Sequence, residues 1–424
     1  MKKLVAGVAA LSAVALALAG CSSSSSSAST DPEDVSGDIT YAFWDPNQQP
    51  AVESIIEAFN EEYPDVTVTP VVTPFAQYWT TLQTQASSNT LPDVFWMNMP
   101  YFQLYASNGQ LAPIDDLVES GAIDPSKYPE NLTDFYAYDG KQYAVPKDVD
   151  TNAMWIDKAL FAEAGVPLPS PDWTYDDYRS TAKAITDALG GQGVYGTAFY
   201  LFGQPTFYNS VFADGGSIID EAGTGTGWTD PGSVEGLQIW ADLVADGSAP
   251  SVEQLSETLA DQWFLNGKAA MFPSIAGASV ALIGAAPNAA DYTAFPLPQG
   301  TQKATVGHAL SNVVSAQSKN LGASKAFQAF LAGEQAQQIQ SESGVTLSAY
   351  EGTSDAFVNS YPGLGLQTFV DAVDYAFPYP ASKNTDAWAA GEPAIFAQVV
   401  SGAITAHEGA DQLAAAMDAA LAEE

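Results

Sequence analysis

The spacing of apolar residues changes period repeatedly along the chain. Ile39, Tyr41 and Phe43 alternate with polar or small residues, the two-residue period of a half-buried strand. Beyond Pro50, Val52 is followed by Ile55, Ile56, Phe59 and Tyr63 at offsets of 3, 4, 7 and 11, one face of a helix that Pro64 stops. Residues 66–72 then read as a second strand. Strand, helix and strand joined this tightly predict a βαβ unit and therefore a parallel pair. Short apolar runs at 93–97 and 143–146 predict further strands, as do 269–272, 292–295 and 310–316. Asp157 is placed to cap a short helix that Gly165 ends. Thr174-Tyr175-Asp176-Asp177 has capping-box spacing and opens a helix with Tyr178, Ala182, Ile185 and Leu189 on one side. Helical spacing recurs around Leu237, Phe327 and Met417, and no internal repeat is visible. This alternation predicts an α/β protein with mostly parallel sheets.

The first residues have a different character. Lys2 and Lys3 precede an apolar stretch, 4–19, that is short for a membrane span and reads as an export signal. Leu18-Ala19-Gly20-Cys21 follows, and it resembles the lipobox of bacterial lipoproteins. That resemblance implies cleavage before Cys21 and a diacylglycerol on its thiol. The plainer alternative is an ordinary signal peptide with an incidental cysteine. The serine-rich run after Cys21 buries nothing and behaves as a tether. The expectation is a signal peptide at 1–20, a lipidated tether at 21–35, and a globular body held by lipid to the outer face of the cytoplasmic membrane.

Composition narrows the function. With 424 residues, 46% of them hydrophobic, the chain can bury large cores and is not disordered. Thirteen Lys and Arg stand against 50 Asp and Glu, a net charge of -37, so nucleic acid is not an expected partner. Anionic ligands would be repelled, whereas neutral ones are indifferent to this field. Two histidines and one cysteine argue against a metal site of the usual His/Cys type, and no cofactor is expected.

Eight segments, in order, resemble the extracytoplasmic solute-binding proteins of ABC sugar importers, the maltose-binding type. They are Phe59-Asn60-Glu61-Glu62-Tyr63-Pro64-Asp65-Val66, Leu91-Pro92-Asp93-Val94, the Asn108-to-Ile114 run NGQLAPI, the Ala144-to-Thr151 run AVPKDVDT, the Asp157-to-Gly165 run DKALFAEAG, the Trp173-to-Tyr178 run WTYDDY, the Phe264-to-Met271 run FLNGKAAM, and Ser318-Lys319-Asn320. The chain departs from the family pattern at Trp155-Ile156-Asp157 and at Gly307-His308-Ala309-Leu310, so the particular sugar is not carried over. The resemblance implies a two-lobed periplasmic-binding-protein-like fold, each lobe a mostly parallel sheet flanked by helices, with a hinged cleft between. Lobe one would comprise 36–147 and 304–347, and lobe two 151–303 and 351–424. The hinge crossings would fall near 147–151, 299–304 and 347–351. It further implies a monomer that captures a sugar or oligosaccharide, delivers it to the permease subunits of an ABC transporter, and performs no chemistry.

A sugar presents apolar C–H faces and a rim of hydroxyls, so its site needs flat aromatic rings and convergent acceptors. Open α/β sheets bind ligands beyond the carboxyl ends of their strands. That rule selects Trp44 and Asp45, Trp96 and Asn98, Asp148 and Asp150, and Ser274. The resemblance adds His308, the glycine-rich loop 223–227 adds Trp228, and Trp263 and Trp388, the latter in a polar, Ala-rich stretch, are further aromatic candidates. Each has a bland reading: core packing for the tryptophans, a turn for Asp45, a hinge or cap for Asp148 and Asp150, a solvated turn for His308. The aromatic group Tyr200, Phe202, Phe207 and Tyr208 reads mainly as core, and the Pro- and Gly-rich stretch 352–380 is a further cleft candidate. Two rivals remain. One is a binding protein of the same fold for a peptide or polyamine. The other is an exported glycoside hydrolase, for which a specific carboxylate pair would be needed.

Overall fold

The computed structural model describes residues 35–220 and 223–424, so the signal peptide, Cys21 and nearly all of the tether lie outside the described residues. The predicted βαβ unit opens the body. Strand Gly37–Phe43 pairs in parallel with Val66–Val72, and helix Gln49–Glu62 connects them. Val52, Ile55, Ile56 and Phe59 form the buried face of that helix. Phe59 stacks on Tyr63 at 4.6 Å and meets Phe327 edge-on at 5.0 Å. Burying a side chain of this size contributes about 2–3 kcal/mol.

Two sheets, each with its own core, make the molecule two-lobed. The first has seven strands, in the order Leu347–Ser348, Pro146–Asp150, Thr305–Val314, Val94–Asn98, Gly37–Phe43, Val66–Val72, with Ala376–Pro378 beside the start of Thr305–Val314. The second has four: Tyr292–Phe295, Asn152–Asp157, Ala269–Ile275 and Tyr195–Thr197. Both are mixed sheets, which corrects the expectation of mostly parallel ones. Thr305–Val314 runs antiparallel to both Val94–Asn98 and Pro146–Asp150, and Asn152–Asp157 is antiparallel to both its neighbours. The reason lies in the connections. Only Thr151 separates Pro146–Asp150 in one sheet from Asn152–Asp157 in the other. A strand returning from the other lobe enters at the edge where its neighbours leave, so it runs against them.

Local chemistry agrees with the sequence at several helix ends. Asp157 accepts from the Ala159 and Leu160 N–H groups at 2.9 and 3.1 Å, and Gly165 ends the helix at φ 67°. Thr174 and Asp177 form a reciprocal capping box, as do Thr405 and Glu408 ahead of helix Ala406–Leu421. Each such cap contributes about 1 kcal/mol. Core membership changes between Val149 and Ala153, and within Thr305–Val314 between Val306 and Ala309. Among the described residues no helix is long and apolar enough to cross a membrane, and no cluster of acidic, His or Cys side chains is arranged to hold a metal ion.

Candidate functional site

The first lobe brings an aromatic wall to the ends of its strands. Trp44 follows strand Gly37–Phe43 and is half-buried. Tyr78 and Trp96 approach it edge-on at 5.0 and 4.9 Å, and Phe75 lies at 5.5 Å. Helix Phe75–Ser88 supplies Trp79, whose ring stacks on Tyr101 at 4.0 Å and 13°. Phe75 is 56% exposed, so an apolar face remains open to a ligand on this wall. Asp45, the residue after Trp44, is engaged locally. Its carboxylate accepts from the Asn47 N–H at 2.9 Å and from Gln48 Nε2 at 3.1 Å, the turn role.

Trp96 is fully buried, which corrects its reading as a stacking surface. It sits in the middle of Val94–Asn98, every residue of which is buried. Its Nε1 donates to Tyr41 at 2.7 Å, Tyr41 donates to Asn312 Oδ1, and Lys147 Nζ lies 4.2 Å from the centre of the indole. Asn98, at the end of that strand, is different. It is 7% exposed and its Oδ1 has no hydrogen-bond partner among the described residues.

The crossing strands carry the charged groups. Lys147 Nζ pairs with Asp148 Oδ2 at 2.6 Å and donates to Gln48 at 3.1 Å, while Asp148 Oδ1 accepts from the Leu310 N–H at 3.2 Å. Asp148 is therefore satisfied by the hinge itself. Asp150 Oδ1 accepts from the Gly277 N–H at 2.6 Å, tying the crossing strand to the first turn of helix Ala276–Gly284. A Cβ on Gly277 would sit 2.9 Å from Asp150 Oδ2, so a larger residue there would have to displace the Asp150 carboxylate. Burial, then the charge of Asp148, push the Asp150 carboxyl up to about 7, against the Gly277 hydrogen bond and Lys147. His308 faces Asp150 across the strand pair, and burial pushes its imidazole down to about 4, with Asp148 acting in the other direction. Both groups lie deep in the molecule yet still touch solvent, as groups on a cleft floor do.

The second lobe supplies the opposite wall. Tyr379 packs against both cores, lies edge-on to His308 at 5.4 Å, and donates its N–H to the Gly307 carbonyl. Behind it Tyr208 donates to Glu392, whose carboxyl burial raises to about 8. Tyr101 of the first lobe donates to Asp386 Oδ2 of the second at 2.6 Å. Phe202, 43% exposed, stands just beyond strand Tyr195–Thr197 with Tyr200 at 5.1 Å.

The remaining sequence candidates fall elsewhere. Trp228 is buried beside Phe207 and Tyr208, and Trp388 is buried with its Nε1 on Ser382. Both are packing residues, a correction to their reading as sugar-facing rings. Trp263 packs edge-on against Tyr195 at the outer side of the second sheet. Ser274 is fully buried, opposite Ala153 in the strand register. Tyr101, Asp386 and Glu392 escaped the sequence reading; Tyr379 fell inside the flagged stretch 352–380 without being singled out. The bracketing prolines of Pro378-Tyr379-Pro380 were its usable signal. A cavity of about 360 Å³ lined by Tyr128, Val149, Tyr350 and Val373 lies behind the hinge. Val149 points away from Asp148 and Asp150, so this space is separate from the cleft floor.

Comparison with known proteins agrees with this architecture. The family model described as "Bacterial extracellular solute-binding protein" matches residues 45–338. A putative binding protein of Brucella abortus is 27% identical over 311 residues, 72% of this chain and 73% of that one. An ABC substrate-binding protein from Listeria monocytogenes in complex with cycloalternan superposes with a TM-score of 0.81 at 27% identity, covering 91% of this chain and 99% of that one. The GacH receptor of Streptomyces glaucescens, solved unliganded and with acarbose, gives a TM-score of 0.76 at 26% identity, covering 92% and 99%. The matched span takes in most of the chain, and the protein belongs to the bacterial extracellular solute-binding proteins.

Proposed function

We propose that this protein captures a neutral sugar or oligosaccharide between its lobes and delivers it unaltered to the permease of an ABC importer. The observation that carries this reading is the set of aromatic rings and an unpartnered acceptor that the two lobes contribute around the crossing strands. Trp44, Phe75 and Tyr101 offer ring faces on one side, and Tyr379 and Phe202 on the other. Asn98 Oδ1 is an acceptor with no partner among the described residues. Ring faces match sugar C–H surfaces, and the polar groups match hydroxyls. Two of the similar structures hold cycloalternan and acarbose, which are carbohydrates or carbohydrate-like. Closure favours a ligand only through contacts that both lobes make at once, and the candidate groups are divided between the lobes in that way.

The hinge crossings of this reading lie at 149–153, 306–309 and 349–357, where core membership changes. Cys21 carries the lipid anchor, and the body acts as a monomer outside the cytoplasmic membrane. The test is calorimetry against neutral mono- and oligosaccharides, with peptides and a polyamine as counter-probes. At least one sugar is expected to bind with a Kd on the order of micromolar or tighter, and to be recovered unchanged. Binding of peptides or polyamines alone, or steady consumption of a sugar, overturns the proposal.

A further inference from the structure

Tyr101 and Asp386 join the two lobes by a hydrogen bond away from the crossing strands, and its surroundings are built. Tyr101 is held face to face on Trp79 at 4.0 Å, which fixes the direction of its hydroxyl. That hydroxyl donates to Asp386 Oδ2 at 2.6 Å, across 285 residues of chain. Burial and the neighbouring carboxylate hold the Tyr101 pKa well above the ordinary phenol range, so the hydroxyl remains a donor. Asp386 lies on the five-residue helix Thr385–Ala389, too short to hold its own position. Burial of Trp388 seats the helix in the second core, and Glu424 ties down the turn that leads into it. The Glu424 carboxylate accepts from the N–H groups of Lys383 and Asn384 at 3.0 and 2.8 Å and from the Ser382 hydroxyl. Ser382 in turn accepts from Trp388 Nε1 at 3.0 Å, which closes the frame on the helix itself. A carboxylate is the right group here, because three donors converge on it and it has only acceptors to offer.

We propose that Tyr101 and Asp386 form a clasp that gives the closed arrangement of the lobes a measurable population before ligand arrives, and that Glu424 is the positioning residue of that clasp. The clasp adds to the closed state alone, because Tyr101 and Asp386 sit on different lobes. Whatever bias it supplies therefore passes directly into apparent ligand affinity. The inference rests on the capture reading only in supposing that the lobes move; it does not depend on the ligand being a sugar.

The test uses the ligand-free chain with Cys21→Ser and one spin label per lobe, at exposed Thr84→Cys and Glu257→Cys. Double electron–electron resonance reads the closed and open populations. Tyr101→Phe keeps the ring on Trp79 and removes only the donor. It is expected to lower the closed-to-open ratio roughly two- to fivefold, the range for a solvent-exposed charge-assisted contact. Glu424→Ala should lower it similarly, and Tyr101→Phe with Glu424→Ala no further than Tyr101→Phe alone. A general structural role for Glu424 would instead give additive losses and overturns its assignment. An unchanged ratio in Tyr101→Phe, or a wild-type chain that is wholly open, overturns the clasp. Failure of sugar binding in calorimetry leaves these readouts untouched, so the two proposals fail separately.

Discussion

The Asp150 carboxyl predicts a pH-dependent stability that one substitution should remove. Its ordinary value of 3.8 is raised to about 7 in the fold, first by burial and then by Asp148. Between those values the folded chain holds a proton that the unfolded chain has released. The stability this contributes is complete below pH 3.8, is lost as the pH rises, and is gone above about 7. Three units correspond to a ceiling of about 4 kcal/mol, and because the side chain still touches solvent, about 2 kcal/mol is the working figure. Glu392, raised from 4.5 to about 8, acts in the same direction, whereas His308, lowered from 6.5 to about 4, costs stability only as the pH falls below 6.5. Asp150→Asn retains an acceptor for the Gly277 N–H but cannot ionise. Urea unfolding followed by tryptophan fluorescence at pH 4, 5, 6, 7 and 8 should show the variant closest to wild type at pH 4 and gaining on it steadily up to about pH 7. At pH 8 it should be more stable by about 1–2 kcal/mol. Parallel stability curves for the two proteins across that range would refute the reasoning.

Other substitutions separate packing from binding. Trp96→Ala should cost about 3–5 kcal/mol of stability and shift the urea midpoint, because the indole is buried at the centre of its sheet; a wild-type midpoint would place it outside the core. Trp44→Ala should cost less stability than Trp96→Ala, about 1–2 kcal/mol because the ring is only half-buried, and weaken binding of the best sugar in the calorimetric panel by roughly tenfold. Undiminished affinity would remove Trp44 from the site. Cys21→Ala should move the protein from the membrane to the soluble fraction, and retention on the membrane would point to another anchor.

The parts of this fold legible in the sequence are those governed by local rules. The first βαβ unit, the Thr174 capping box and the Gly165 stop depend on residues a few positions apart, and they stand where their spacing put them. Spacing predicts the long strand Thr305–Val314 only from 310 onward, because its first half is buried almost throughout at the crossing and shows no clean alternation. The same loss of contrast hid the true position of Trp96. Counting from an apparent strand end placed it at the rim, yet strand Val94–Asn98 runs on past it. Trp228 sat among glycines that suggested a loop surface, but packing on Phe207 and Tyr208 draws it inside. Tyr101 and Asp386 are 285 residues apart, and neither carries a local signal that the other is near.

Small-angle scattering of the mature protein, with and without a saturating sugar identified by calorimetry, tests the central claim most directly. The account predicts a smaller radius of gyration on binding, with the sugar recovered intact afterwards. An unchanged radius with the sugar demonstrably bound would contradict closure of two lobes around a ligand.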